Sequence, residues 1–233
     1  MLVRGSLAPH KHYYEKKEYM LVDTNTTVTP NKEFTKLASN EQIERIVKAL
    51  EANGMRTLVA DNGEEAKKIV LGLVPLHTEV YANQSQTLEK LGLTAEFDKS
   101  GRYHAVRPKV LSLDRKTQGD EIRKLRSSPD YIVGSVQAIT EKGQVMTSSF
   151  GGSQLGAYAY GSAKVIWIVG TQKLVKDLDE GFRRIEEYSY PLEDARLFTA
   201  FGMHSAIGKT LIIDREVVPN RITIVLVKEE LGY

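Results

Sequence analysis

The sequence lacks cysteine, a strong net charge and any long hydrophobic run, and each absence excludes a class of protein. None of its 233 residues is Cys, which excludes disulfides, thiolate nucleophiles, cysteine-held zinc and iron–sulfur clusters. The formal net charge of +2 argues against nucleic acid as the main partner. No apolar run approaches the roughly 18 residues of a membrane helix, and the N-terminus lacks the apolar core of a signal peptide. We therefore expect a cytoplasmic protein that neither binds nucleic acid nor inserts into a membrane.

What the sequence does contain is an alternation of helix and strand. Ser39 and Gln42 form a capping box ahead of an apolar helical stripe that Gly54 ends, and the strand "MRTLVAD" follows. The helix "GEEAKKIVLGLV", the strand "TEVYAN" and the buried strand "KVIWIVG" continue the pattern. This order predicts a mostly parallel α/β sheet with helical crossovers.

Two further predictions concern the ends of the chain. Near the C-terminus, "TLIIDREVVPNRITIVLVKEEL" contains two strand-like runs around a Pro-Asn turn, which predicts an antiparallel pair at a sheet edge. At the N-terminus, residues 1–33 are expected to form a tail, and residues 34–233 are long enough for one large α/β domain.

The first candidate ligand segment is "NQSQTLEKLGL", directly after the strand "TEVYA". Open α/β sheets place ligands at the carboxyl ends of their strands, where a helix begins. Asn83, Ser85 and Thr87 are therefore candidate ligand-binding residues. An ordinary helix N-cap explains the same segment equally simply, and taken alone the segment favours that interpretation.

The second candidate segment is "GSVQAITEKGQVMTSSFGGSQLG", rich in glycine and serine and ending at an expected helix start. Glycines let the backbone approach a ligand and hydroxyl groups add donors, whereas small residues also serve close helix–sheet packing. Neither a Walker loop nor a dinucleotide fingerprint is present. The candidate ligand-binding residues here are Gly134, Ser135, Gln137, Gly151, Gly152, Ser153 and Gln154, together with Lys173 just past the buried strand.

Other signals for chemistry are weaker. The five histidines form no His-x-x-x-His pair, so no metal site or other cofactor is predicted. The segment "RYHAVRPKVLSLDRKTQGDEIRKLRSSPD" carries eight Lys or Arg against four Asp or Glu; this composition fits a basic rim, but it is more typical of a solvated helix and loop.

Taken together, "PDYIVGSVQAITEKGQVMTSS", "GSQLGAYAYGSAKVIWIVGTQKLV", "RRIEEYSYPLEDAR" and "NRITIVLVKEELGY" resemble the LUD (lactate-utilization) domain family, from about Phe34 to Tyr233. The resemblance implies a three-layer α/β fold related to ribose-phosphate isomerase, glucosamine-phosphate deaminase and coenzyme A transferases. It also implies a link to bacterial oxidation of L-lactate, in which iron–sulfur subunits are partners. Without cysteine this chain can resemble only the bare type of LUD domain.

Two main hypotheses of function follow. The first is a ligand-binding or accessory subunit for a small anionic metabolite in lactate or organic-acid utilization. The second is a stand-alone isomerase- or transferase-type enzyme on a phosphorylated or carboxylated molecule, with Glu141 or Glu193 as acid/base. A regulatory ligand-binding module is a third, and the sequence leaves open a homo-oligomer.

Overall fold

The structure is a computed structural model that describes residues 29–233. Ten strands occur in that range: β1 Arg56–Ala60, β2 Glu79–Ala82, β3 His104–Ala105, β4 Tyr131–Gly134, β5 Ala138–Thr140, β6 Val145–Ser149, β7 Lys164–Gly170, β8 Leu174–Val175, β9 Lys209–Ile213 and β10 Ile222–Val227. The α-helices of the same range are α1 Asn40–Ala52, α2 Gly63–Leu73, α3 Gln86–Lys90, α4 Leu93–Lys99, α5 Val106–Ser112, α6 Gly119–Ser127, α7 Leu178–Arg184 and α8 Tyr190–Phe201.

The main sheet has six strands in the order β1-β10-β7-β4-β2-β3, and all of its pairs are parallel. Parallel strands require crossovers, and helices supply them here. The carboxyl ends of β7, β4 and β2 are therefore neighbours at one edge. The ends of β2 and β4 precede the two candidate ligand segments, and the end of β7 precedes Lys173.

The strands alternate their side chains between two apolar layers, which is why their sequences are apolar throughout. Val165 and Trp167 face the layer that contains α1, α5 and α6, whereas Ile166 and Ile168 face the layer that contains α2, α3 and α4. This arrangement confirms the predicted three-layer α/β fold with a mostly parallel sheet.

A second sheet of four strands, β8-β5-β6-β9, packs beside the first, with β5–β6 and β6–β9 antiparallel. Strand β9 gives the expected antiparallel edge near the C-terminus. The predicted pairing of the last two strand-like runs is wrong, however. β10 lies parallel between β1 and β7 in the main sheet, because its side chains are buried on both faces, whereas the half-buried β9 pairs with β6.

Local signals at the helix ends are confirmed. Ser39 Oγ accepts a hydrogen bond from the Gln42 backbone N–H at 3.2 Å, and Gly54 adopts a left-handed φ of 81°. Gly143, with φ of 74°, turns the chain between β5 and β6. The predicted tail, residues 1–33, lies almost wholly outside the described residues, so the domain boundary stays a prediction. No helix in residues 29–233 is long and apolar enough to span a bilayer.

Candidate functional site

The candidate site is a cavity of about 410 Å³ at the carboxyl ends of β2 and β4. One wall comes from the main sheet, through Tyr81 and the loops that follow β2 and β4. A second comes from β6 and the glycine-rich turn after it, and a third from α8 and the chain terminus around Tyr233. Helices α5 and α6 contribute arginines to the lining.

Most of the side chains predicted from the sequence meet at this cavity. The predicted residues that line it are Asn83, Ser85, Thr87, Ser135, Gln137, Gly151, Ser153, Gln154 and Glu193. Two segments about 50 residues apart in the chain thus form one concave surface, because β2 and β4 are adjacent parallel strands.

Hydrogen bonds from side chains fix the glycine-rich turn that follows β6. Gln137 and Ser148 exchange two hydrogen bonds, from Ser148 N to Gln137 Oε1 at 3.0 Å and from Gln137 Nε2 to Ser148 O at 3.3 Å. Ser149 Oγ donates to Gln154 Oε1 at 3.1 Å and accepts from the Gly152 N–H at 3.0 Å. These bonds fix the turn in a shape that presents hydroxyl and amide groups to the cavity.

The glycines of the two segments serve different purposes. A Cβ on Gly134 would lie 1.9 Å from the Tyr158 hydroxyl oxygen, so this glycine allows close packing rather than approach of a ligand. Gly152 has a φ of 79°, which favours glycine, and a Cβ there would meet Lys209. Neither lines the cavity. Gly151 does line it, and a Cβ at Gly151 would meet no heavy atom within 4 Å.

Lys173 lies behind the cavity wall rather than in it. It is 1% exposed, and its Nζ donates to Ser135 Oγ at 3.1 Å, Thr87 Oγ1 at 3.3 Å and the main-chain oxygen of Tyr233 at 3.2 Å. Burial, with the positive charge of Arg184 adding to it, lowers the pKa of Lys173 well below its usual value. Lys173 therefore orients two hydroxyl-bearing residues of the lining.

The chain from Leu231 to Tyr233 is fixed against this same group. Gln172 Nε2 donates to the carbonyls of Leu231 and Gly232, both at 3.1 Å, and Thr87 Oγ1 donates to Leu231 O at 3.1 Å. Sequence reasoning did not find this role, because carbonyl acceptors carry no residue-type signal. The result is that Tyr233 becomes part of the cavity wall.

Arg184 lies behind the cavity lining and donates hydrogen bonds to two lining residues. It is fully buried, and its Nη1 donates to Ser189 Oγ at 3.0 Å and to the Gln137 carbonyl. The guanidinium lies over the Tyr188 ring at 5.2 Å. Burial lowers the pKa of Arg184 to about 10. Both Ser189 and Gln137 line the cavity, so Arg184 positions them.

Glu193 forms a three-residue group with Arg196 and Tyr233. Arg196 binds both carboxylate oxygens, at 2.7 and 2.8 Å, and the Tyr233 hydroxyl donates to Glu193 Oε2 at 2.6 Å. Burial, followed by the hydrogen bond to Glu193, raises the pKa of the Tyr233 phenol. Tyr233 is thus a protonated donor in the cavity wall at neutral pH.

Glu141, the other predicted acid/base, is not brought to this group. It follows β5 at the far end of the hairpin from the cavity lining, and its carboxylate pairs with Arg45 of α1 at 3.2 Å. The reason is the direction of β5, which runs away from the lining residue Gln137 toward residue 141.

The structure adds arginines that sequence reasoning assigned to a solvated helix and loop. Arg107, Arg115 and Arg126 line the cavity. The eight basic residues of that segment were the available signal, but only the tertiary fold shows which of them face the cavity. As for metals, no three His, Asp or Glu side chains in the described part of the chain are grouped as ligands would be.

Comparisons with known proteins bear on the family and the fold. A family model described as the LUD domain matches residues 43–227. No curated protein matches the sequence significantly. The chain is similar to the crystal structure of a DUF162 family protein from Deinococcus radiodurans, with a TM-score of 0.51 and 13% identity over 82% of this chain and 99% of that one. At that identity the likeness concerns the fold alone.

Proposed function

The chain belongs to the LUD domain family, since the family model covers residues 43–227, and from this premise we propose that it binds a small organic anion in the cavity, in lactate or other organic-acid utilization. It acts as a cytoplasmic ligand-binding or accessory subunit. Because it has no cysteine to hold a cluster, iron–sulfur partner subunits carry the electrons.

The observation that supports the proposal is the balance of charge around the cavity. Among the described residues that line it, the charged ones are Arg107, Arg115, Arg126, Arg196 and Glu193. Glu193 is neutralised by Arg196, and Arg107 is paired with Asp98, so Arg115 and Arg126 carry the excess of positive charge. Cationic side chains with hydroxyl and amide donors beside them suit a carboxylate or phosphate. We propose Asn83, Ser85, Thr87, Ser135, Gln137, Ser153 and Gln154 as its polar contacts.

A second candidate function is an isomerase- or transferase-type reaction in the same cavity. The observation that favours it is the short hydrogen bond from Tyr233 to Glu193, 2.6 Å, in the cavity wall. A phenol and a carboxylate in contact can pass a proton to or from a bound molecule. In this alternative Glu193 is the acid/base and Tyr233 its partner.

Binding is tested by isothermal titration with L-lactate, pyruvate and glycerol 3-phosphate. We expect at least one to bind, with an affinity that falls as salt is added. Gly151→Trp should weaken that binding at least about tenfold, a loss of about 1.4 kcal/mol. A Cβ at Gly151 would meet no neighbouring atom, so a large side chain can extend beside the cavity and obstruct the ligand.

The matched control is Gly72→Trp on α2, where a Cβ also meets no heavy atom within 4 Å and which does not line the cavity. This variant should bind like the wild type. The proposal is wrong if none of the three anions binds the folded protein, or if Gly151→Trp binds them undiminished.

A further inference from the structure

The positive charge of the cavity is concentrated on one side. Arg107 belongs to α5, Arg115 to the α5–α6 connection and Arg126 to the last turn of α6, so all three come from one stretch of chain. Arg196, on the opposite wall in α8, already binds Glu193 through two nitrogens. On the α5–α6 side, Arg115 and Arg126 have no ion pair within residues 29–233, and Arg107 pairs with carboxylates through Nη1 alone. This is therefore the side that can bind a ligand.

Of these three arginines, Arg126 has the guanidinium group whose burial is least compensated by hydrogen bonds or ion pairs. Its side chain is half-buried, and its Nε is shielded from solvent without a hydrogen-bond partner. Within residues 29–233 it makes no ion pair, and neither does Arg115. Leaving a charged donor buried and unpaired is costly. An oxygen of a bound anion would remove that cost.

Arg107 and Arg126 line the same cavity as Tyr81. Burial raises the pKa of the Tyr81 phenol, and the positive charges of Arg126 and Arg107 both act against that rise. Arg107 is held through Nη1 by the largely buried Asp98, at 3.0 Å, and the same nitrogen lies 3.8 Å from the Glu89 carboxylate. Arg107 is therefore fixed before any ligand arrives.

The chemistry of this arrangement favours a phosphate over a single carboxylate. A carboxylate presents two oxygens and one charge, which one guanidinium can satisfy, whereas a phosphate monoester carries nearly two charges and three terminal oxygens. The cavity volume, about 410 Å³, also lies within the range that holds ligands much larger than a three-carbon acid.

We propose that Arg107, Arg115 and Arg126 form a phosphate subsite, so that the ligand is a phosphate monoester whose organic part extends toward Ser135, Gln137 and Gln154. This inference rests on the proposed function, since it names the class of anion that the same cavity takes. Arg126 and Arg107 bind the phosphate oxygens beside Tyr81, and the exposed Arg115 binds the phosphate from the solvent side.

The test compares glycerol 3-phosphate, inorganic phosphate and L-lactate by isothermal titration. Glycerol 3-phosphate should bind more tightly than L-lactate, and inorganic phosphate should compete with it. Arg126→Gln should lower the affinity for glycerol 3-phosphate at least about tenfold, while any binding of L-lactate changes less than about threefold. Arg115→Gln, at an exposed position, should weaken the same ligand by a smaller factor and serves if Arg126→Gln does not fold.

The matched control is Arg123→Gln, which removes the same charge from α6 at a residue that pairs with Asp120 and does not line the cavity. It should bind glycerol 3-phosphate like the wild type. Binding of L-lactate or pyruvate without binding of glycerol 3-phosphate would overturn the phosphate subsite and leave the proposed function standing. An equal loss in Arg123→Gln and Arg126→Gln would also overturn it, since bulk charge would then be the cause. Failure of every anion would remove both proposals.

Discussion

At the scale of single residues, this protein places two basic side chains where water does not reach them. Lys173 and Arg184 are 1% and 0% exposed, and within the described residues neither forms an ion pair with an acidic side chain. They bond to main-chain and hydroxyl oxygens instead. Burial of an unpaired charge disfavours the charged form, so both groups should make folding sensitive to pH.

We predict that replacing Lys173 by Met changes how stability depends on pH. The folded-state pKa of Lys173 is below the unfolded value of about 10.4. Between these two pKa values the unfolded chain holds a proton that the folded chain has released, so the free energy of unfolding rises with pH and levels off above the unfolded pKa.

The measurement is urea unfolding of the wild type and Lys173→Met at about pH 7 and about pH 10. The difference between them should move in favour of the wild type at the higher pH, by about 1.4 kcal/mol for each pH unit inside the window. Lys48→Met, at an exposed position of α1, is the control and should show no such change. A difference that is constant with pH for Lys173→Met would contradict the prediction.

At the scale of elements, the site depends on irregular segments held by buried polar groups. The chain after β6 passes through a π-helical turn, Ala157–Gly161, whose first carbonyl accepts from the Ser162 N–H. Arg221, just before β10, donates to the carbonyls of Ala157, Tyr158 and Ser162 at 2.9–3.1 Å and pairs with the buried Glu216.

We predict that Arg221→Met lowers the free energy of unfolding by about 3–5 kcal/mol, because it leaves the Glu216 carboxylate buried without a partner. The double variant Arg221→Met/Glu216→Met should be more stable than the single variant, since it removes that isolated charge. Denaturant unfolding of both variants measures this. If the two substitutions add without coupling, Arg221 acts through its carbonyl bonds alone.

At the scale of the whole molecule, the two sheets share one core. Ile139 of β5 and Val145 of β6 belong to the same apolar cluster as Val165 and Trp167 of the main sheet. Sheets that bury their side chains against each other lose stability together. The cavity between them is therefore a product of the whole fold.

We predict that residues 34–233 unfold as one cooperative unit. The sequence contains a single tryptophan, and Trp167 is fully buried in the shared cluster. Its fluorescence and the far-UV circular dichroism should follow the same denaturant curve with one midpoint. A fluorescence midpoint separated from the dichroism midpoint would show two independent units and contradict the single-domain prediction.

Much of the site was predictable because its residues follow strands. Asn83 and Ser135 directly follow β2 and β4, and parallel strands carry such positions to one edge. The differences between expectation and structure share one cause, which is that distance across the fold cannot be obtained from local pattern. Glu141 was assigned to the site although it pairs with Arg45, and Arg126 was not, although it lines the cavity.

The sequence by itself determined the alternation of helix and strand, the helix caps and the family, because each depends on the types and spacing of nearby residues. Only the tertiary structure decided that β10 enters the main sheet, that Lys173 supports the wall from behind and that Tyr233 becomes part of it. Those outcomes depend on which apolar faces are buried together and on backbone carbonyls that accept hydrogen bonds. Every residue has such a carbonyl, so the sequence alone cannot indicate which one is used.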